Sequence, residues 1–212
     1  MKIKVCGLKY PGNVEAVTLL EPDYAGFIFY GPSPRYVGEP GTEMLARIPG
    51  SIQKTAVFVN ADAGEISALI EKYKFDAIQL HGSESAEFCS SFRKYVTVIK
   101  AFGISEHFDF NLLDAWGGQV DYFLFDAKTA IHGGSGESFN WALLNDYKLA
   151  VPFFLSGGIS LDNLAEIKAI DHPQFYGVDL NSRFETSPGL KDIERLNKAF
   201  DLIKHTTHEV RS

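Results

Sequence analysis

The chain has 212 residues, 45% of them hydrophobic and 22% charged, with a formal net charge of −7. That length suits one sizeable core and is short for two ordinary domains, so a single domain over residues 1–212 is expected. The acidic balance, with no dense Lys/Arg run, speaks against nucleic acid, and no segment approaches the roughly 20 apolar residues of a membrane-spanning helix.

The opening Met1 to Gly7 has neither the apolar run of a secretory signal nor the Arg-rich character of a transit peptide, so a cytoplasmic protein is expected. From there, short β-branched or aromatic runs alternate with helical patterns to the end. The first strand, Ile3 to Cys6, ends in Cys6-Gly7, and the second, Tyr24 to Phe29, leads into a loop stiffened by Pro32 and Pro34 that carries Arg35. The third, Lys54 to Val59, runs into Asn60, and Ile66, Leu69, Ile70 and Tyr73 then mark an amphipathic helix. The fourth, Ala77 to Leu80, carries Gln79 and meets His81; the fifth, Val96 to Ala101, contains Lys100 and precedes a short helix over Phe108 to Trp116 that Gly117-Gly118 stops.

The sixth strand, Tyr122 to Asp126, is followed by Gly133-Gly134-Ser135-Gly136. The seventh, Phe153 to Ser156, continues as Ser156-Gly157-Gly158-Ile159-Ser160, which is expected to open a helix. The eighth, Phe175 to Asp179, leads into Leu180-Asn181-Ser182, and Leu190, Ile193, Leu196, Phe200 and Ile203 give the spacing of a last helix.

Eight strand–helix units with short connections require parallel pairing throughout. A closed (β/α)8 TIM barrel, eight parallel strands with surrounding helices, is therefore the expected fold. A doubly wound sheet would carry a glycine-rich fingerprint after the first strand, where this chain has Gly7-Leu8-Lys9-Tyr10. In a barrel the C-terminal ends of the strands open on one face, so the polar residues there converge however far apart they lie in the chain.

Each of those residues has two readings. Cys6 is a small buried hydrophobe, or a thiol at the barrel mouth able to act as a base once its pKa is drawn toward neutrality. Asp126, closing an apolar aromatic run, is a loop-fixing carboxylate or a half-buried acid whose pKa is raised. Gly157 and Gly158 form a tight turn or a phosphate cradle of amides, which Asp179, Asn181 and Ser182 would complete. Arg35 makes a surface ion pair or a bidentate carboxylate clamp. His81 is a structural hydrogen bonder or faces a substrate, and Gly133, Gly134, Ser135 and Gly136 are a linker or a lid. No recurring His/Cys/Asp spacing suggests a metal, and Cys6 and Cys89 lie too far apart, in segments too different, to suggest a disulfide framework.

These residues, in this order, resemble the phosphoribosylanthranilate isomerase family. The resemblance runs through Lys4-Val5-Cys6-Gly7-Leu8, Gly26-Phe27-Ile28-Phe29, Ser33-Pro34-Arg35-Tyr36, Val57-Phe58-Val59-Asn60 and Gln79-Leu80-His81-Gly82. It continues through Asp126-Ala127-Lys128, Gly133-Gly134-Ser135-Gly136, Leu155-Ser156-Gly157-Gly158 and Val178-Asp179. It implies an Amadori rearrangement in tryptophan biosynthesis that converts N-(5-phosphoribosyl)anthranilate into 1-(2-carboxyphenylamino)-1-deoxyribulose 5-phosphate, without metal or cofactor. It further implies Asp126 as general acid on the ribose ring oxygen, Cys6 as general base at C2, and Arg35 on the anthranilate carboxylate. The phosphate would rest on Gly157, Gly158 and the Asn181-Ser182 region. Acid and base need opposite pKa shifts for these roles.

Two departures stand out: Asn181-Ser182-Arg183 where many relatives have Ser-Ser-Gly, and Lys9-Tyr10 where Thr or Arg is more usual. The expected partner is a phosphorylated small molecule, with the chain a monomer or a homodimer. The rival enzyme is the histidine-pathway isomerase, whose resemblance would call for an Asp ending strand 1 and a glycine-rich loop after strand 3; this chain has Cys6 and Asn60-Ala61-Asp62-Ala63 there. A barrel that only binds a phosphorylated ligand would have no need of both proton-transfer groups.

Overall fold

The computed structural model describes residues 1–127 and 139–205. Eight strands close into one parallel barrel in chain order: β1 (Lys2–Val5), β2 (Tyr24–Ile28), β3 (Gln53–Phe58), β4 (Ala77–Leu80), β5 (Thr97–Ile104), β6 (Tyr122–Ala127), β7 (Phe153–Leu155) and β8 (Phe175–Leu180). All eight expected strands are present, with ends displaced by up to three residues. The seam is the pairing of β1 with β8, where Lys2, Ile3, Lys4 and Val5 register with Gly177, Val178, Asp179 and Leu180.

Strand alternation sorts the side chains into two apolar regions. Ile3, Val5, Ala25, Phe27, Phe58, Ile78, Val98, Phe123, Phe125 and Val178 point outward into the larger core beneath the helices. Tyr24, Ile99, Ala101, Leu124 and Phe154, flanked by Tyr122 and Tyr176, fill the inside of the barrel. The interior is packed, as barrel interiors of this size are, so within the barrel a ligand has room at the strand ends rather than along the axis.

The outer layer is less regular than the sequence suggests. α1 (Pro11–Thr18) starts with proline in its first turn, where the missing N–H costs nothing. α3 (Ala63–Tyr73), which follows the short α2 (Thr42–Ala46), is capped by Asp62 accepting from the Glu65 amide and closed by Lys74 in the left-handed region. α4 (Ala86–Ser90) is capped by Ser85. Among the described residues after β5 and β6 the helical turns are of the 3-10 type, Phe110–Trp116 and Trp141–Asp146. Phe110 of the first packs on Phe125 and Tyr147, and Tyr147, which caps the second, packs on Phe123, Phe125 and Phe153 behind β6 and β7.

Two helix expectations need correction. The Ser156-Gly157-Gly158 loop does not open a helix: α5 (Leu164–Ile167) begins only after the Asn163 cap and has four residues. Leu190 is not in the last helix; it lies in an antiparallel hairpin, β9 (Glu185–Ser187) and β10 (Leu190–Lys191), before α6 (Ile193–His205). The hairpin turns at Gly189, and Asn13 ties it to α1 by accepting from the Lys191 amide and donating to the Lys191 carbonyl.

Candidate active site

Cys6 follows β1 at the mouth of the barrel and is 3% exposed. Its amide donates to the Leu180 carbonyl at 3.0 Å, extending the seam by one residue. The sulfur rests on Gly26 of β2: a Cβ there would come 2.8 Å from Sγ. Only a glycine leaves the sulfur that seat.

The strand period places Lys4 on the same face as Cys6, inside the barrel, where it donates to Asp179 Oδ1 at 3.0 Å. Burial opposes the charge on Lys4, but Asp179 and Cys6 outweigh it and keep the ammonium protonated. Burial pushes the Cys6 thiol above its usual range; Lys4 and Lys191 pull it back and Asp179 adds to the rise. The downward shift that the base role was expected to need is thus absent here, because desolvation exceeds the attraction of two ammonium groups.

Asp126 stands on the inner face of β6, in phase with Leu124. Burial, then the charge of Asp179, push its carboxyl up to about 6, against the Ala127 amide, which donates to Oδ1 at 2.9 Å, and against Lys4. The expected direction for an acid is present. Cys6 and Asp126 both respond to the same Lys4–Asp179 pair, so the ends of strands 1 and 6 share one electrostatic site.

His81 lies beside Asp126, Nε2 to Oδ2 being 3.6 Å. Its Nδ1 meets Gln79 Nε2 at 3.0 Å. The imidazole is thus held between Gln79 and Asp126. Behind this loop Lys100 donates to the Leu80 and Gly82 carbonyls and pairs with Glu84 at 2.9 Å, while Glu84 accepts from the Asn60 and Gly82 amides. Lys100 and Asn60 therefore brace the loop that carries His81.

Gly157 and Gly158 both have positive φ, +82° and +65°, and a Cβ on Gly157 would come 2.5 Å from the Ala127 nitrogen. Asn163 holds this turn by donating to the Gly158 carbonyl and accepting from the Ser160 amide. The backbone amides of such a tight turn can receive an anion without a helix terminus. On the neighbouring strand, Ser182 begins a 3-10 turn, Ser182–Phe184, that Asn181 precedes.

Arg35 is 6% exposed, not a surface residue, and its stem crosses Gly7, where a Cβ would lie 2.7 Å from Cδ. Its guanidinium is already engaged: Nε donates to Glu185 Oε1 and Oε2 at 3.0 and 2.9 Å, and Nη2 to Oε2 at 2.7 Å. Glu185 also takes Lys191 Nζ at 2.7 Å, and Lys191 reaches Asn181 Oδ1 at 2.8 Å. Lys4, Glu185 and Lys191 are the site residues that sequence reasoning missed. Gly133, Gly134, Ser135 and Gly136 lie outside the described residues. Among the described residues no three His, Cys, Asp or Glu side chains are grouped as a metal ion would require.

The family model for N-(5'-phosphoribosyl)anthranilate isomerase matches residues 3–202. The chain belongs to the phosphoribosylanthranilate isomerase family. A curated phosphoribosylanthranilate isomerase from Parabacteroides distasonis is 43% identical over 212 residues, 99% of this chain and 96% of the relative. The crystal structure of phosphoribosylanthranilate isomerase from Thermus thermophilus superposes with a TM-score of 0.84 at 26% identity, covering 97% of this chain and 100% of that one. Another phosphoribosylanthranilate isomerase, solved with reduced 1-(o-carboxyphenylamino)-1-deoxyribulose 5-phosphate, gives 0.79 at 26% identity over 97% and 99% of the two chains.

Proposed function

We propose that this chain catalyses the aldose–ketose rearrangement of N-(5-phosphoribosyl)anthranilate to 1-(2-carboxyphenylamino)-1-deoxyribulose 5-phosphate in tryptophan biosynthesis, with Asp126 as general acid and Cys6 as general base. The observation that carries the reading is the Asp126 carboxyl, pushed up to about 6 and sharing the Lys4–Asp179 pair with Cys6. An acid with that proton affinity keeps a useful fraction of its protonated form near neutrality and still gives it up to an oxygen.

In this mechanism Asp126 donates its proton to the ribose ring oxygen. The C1–O bond breaks, and the nitrogen lone pair forms the cationic Schiff base. Cys6 would enter the next step as the thiolate, its proton having left to solvent; the ammonium groups of Lys4 and Lys191 favour that form, although burial outweighs them in the free protein. It removes the C2 proton, and the C–H electrons become the C1–C2 double bond of an enolamine while the imine electrons return to nitrogen. Tautomerisation moves a proton from the C2 hydroxyl to C1 and leaves the ketone.

The amides of Gly157 and Gly158, with the Asn181-Ser182 turn and Asp179 beside it, would receive the phosphate end. Arg35 would receive the anthranilate carboxylate, and His81 would face the sugar beside Asp126. The same reading takes residues 1–212 as one domain that works in the cytosol without metal or cofactor, alone or as a homodimer.

The test follows the fluorescence of enzymatically made phosphoribosylanthranilate on addition of the purified protein. The parent chain is expected to consume it. Cys6→Ala and Asp126→Asn should each lower kcat by about 100-fold or more, while both still bind the reduced product analogue. A parent chain that leaves the fluorescence unchanged, or a double variant as fast as the parent, overturns the reading.

A further inference from the structure

Glu185 is a carboxylate in an unusual place. It sits at the start of β9 with a side chain 4% exposed, and all its partners are cations or amides. Oε1 receives Arg35 Nε, Lys191 Nζ and the Gly189 amide; Oε2 receives Arg35 Nε and Nη2. Burial alone would raise its pKa, but the Arg35 bonds and the Lys191 charge hold it below the usual carboxylate range. A carboxylate so satisfied has no donor left to recruit and no tendency to take up a proton.

The geometry also divides Arg35. Glu185 occupies the edge formed by Nε and Nη2, and the stem is wedged over Gly7 next to Cys6. A planar guanidinium has a second edge, between Nη1 and Nη2, also able to hold a carboxylate in two parallel bonds. An arginine fixed along one edge presents the other without further loss of rotamer freedom.

We infer that Glu185 is a positioning residue that acts through Arg35: by occupying the Nε–Nη2 edge it fixes the guanidinium over Gly7, so that the Nη1–Nη2 edge meets the carboxylate of an ortho-aminobenzoate substrate. Recognition of that carboxylate thus depends on a hairpin that never touches it. The inference rests on the function proposed above and deepens it, because the hairpin becomes a determinant of specificity for the aromatic acid.

The test compares the parent chain with Glu185→Gln and Glu185→Asp. Two probes are titrated by fluorescence: the reduced product analogue, and its phenylamino counterpart without the ring carboxyl. For Glu185→Gln the inference expects the carboxylated analogue to weaken by about tenfold or more, the decarboxylated one to change little, and KM to rise far more than kcat falls. Glu185→Asp, which keeps the charge on a shorter stem, should recover part of that loss. Both variants are checked for the parent's circular dichroism and melting behaviour.

Equal weakening of the two probes would mean that Glu185 only supports the fold and would overturn the inference. So would unchanged binding of the carboxylated analogue. These results are separable from failure of the functional reading, which appears as absence of turnover in the parent chain.

Discussion

Lys4 of β1 and Asp179 of β8 meet across the barrel seam at 3.0 Å, with side chains 0% and 4% exposed. The pair joins the first strand to the last and, after burial, supplies charges that act on both proton-transfer candidates. Asp179→Asn should leave Lys4 buried without its counter-ion and cost about 3–5 kcal/mol of stability, measured by urea unfolding. It also removes the charge that, after burial, most raises Asp126. The acid must be protonated to act, so the high-pH limb of kcat/KM should move to lower pH.

Asp126 itself should destabilise the free protein above its ordinary titration range. Its folded-state pKa is raised from 3.8 to about 6, so the unfolded chain ionises first as pH rises. Between those values the folded state holds more protons, and stability falls with rising pH, then levels off above about 6. The loss is at most on the order of 2–3 kcal/mol, the side chain being partly open to solvent. Asp126→Asn is therefore expected to be inactive yet more stable than the parent near pH 8. That gain should fade toward pH 4, in denaturant titrations at the two pH values.

Gln79 and His81 provide a third test. The Gln79 amide meets His81 Nδ1 at 3.0 Å, and its Oε1 is buried without a partner among the described residues. Gln79→Met removes the contact that holds the imidazole beside Asp126. Stability should change by about 1 kcal/mol or less, while kcat falls by about tenfold as the imidazole loses its fixed orientation. Parallel melting and steady-state measurements separate the two effects.

Gly26→Ala places a methyl group 2.8 Å from Cys6 Sγ unless the sulfur moves. The expected cost is about 1–3 kcal/mol of stability from overpacking, with kcat lowered more than KM is raised. A variant with parent kcat would show that the sulfur's seat is not critical. Steady-state kinetics and thermal melting read the two quantities.

The eight strands were legible because their apolar residues alternate or run together between turn signals, and Cys6, Asp126, Gly157 and Asp179 because strand ends converge in a barrel. Lys4 was not, for a physical reason. In a strand of a soluble sheet the polar half of an alternating pattern faces water, so Lys2-Ile3-Lys4 reads as two solvent-facing lysines; closure of the barrel turns that face inward, burying Lys4 and leaving Lys2 exposed at the N-terminal end of the strand. Glu185 and Lys191 were hidden by length. Two strands of three and two residues carry too little periodicity to announce themselves, and Leu190 happens to fall in phase with the helix that follows. Arg35 lies over Gly7 beside Cys6, but its resident partner, 150 positions away, leaves no trace in local sequence.

The seam has a consequence for how the molecule comes into being. Residue 179 emerges from synthesis long after residue 4, and the hairpin that holds Arg35 later still. A nascent chain stopped before β8 would carry Cys6 on a strand with an open edge, its lysine unneutralised and its arginine unheld. Chemistry and topology are thereby completed by the same late event, and a truncated polypeptide should be inert rather than partly active.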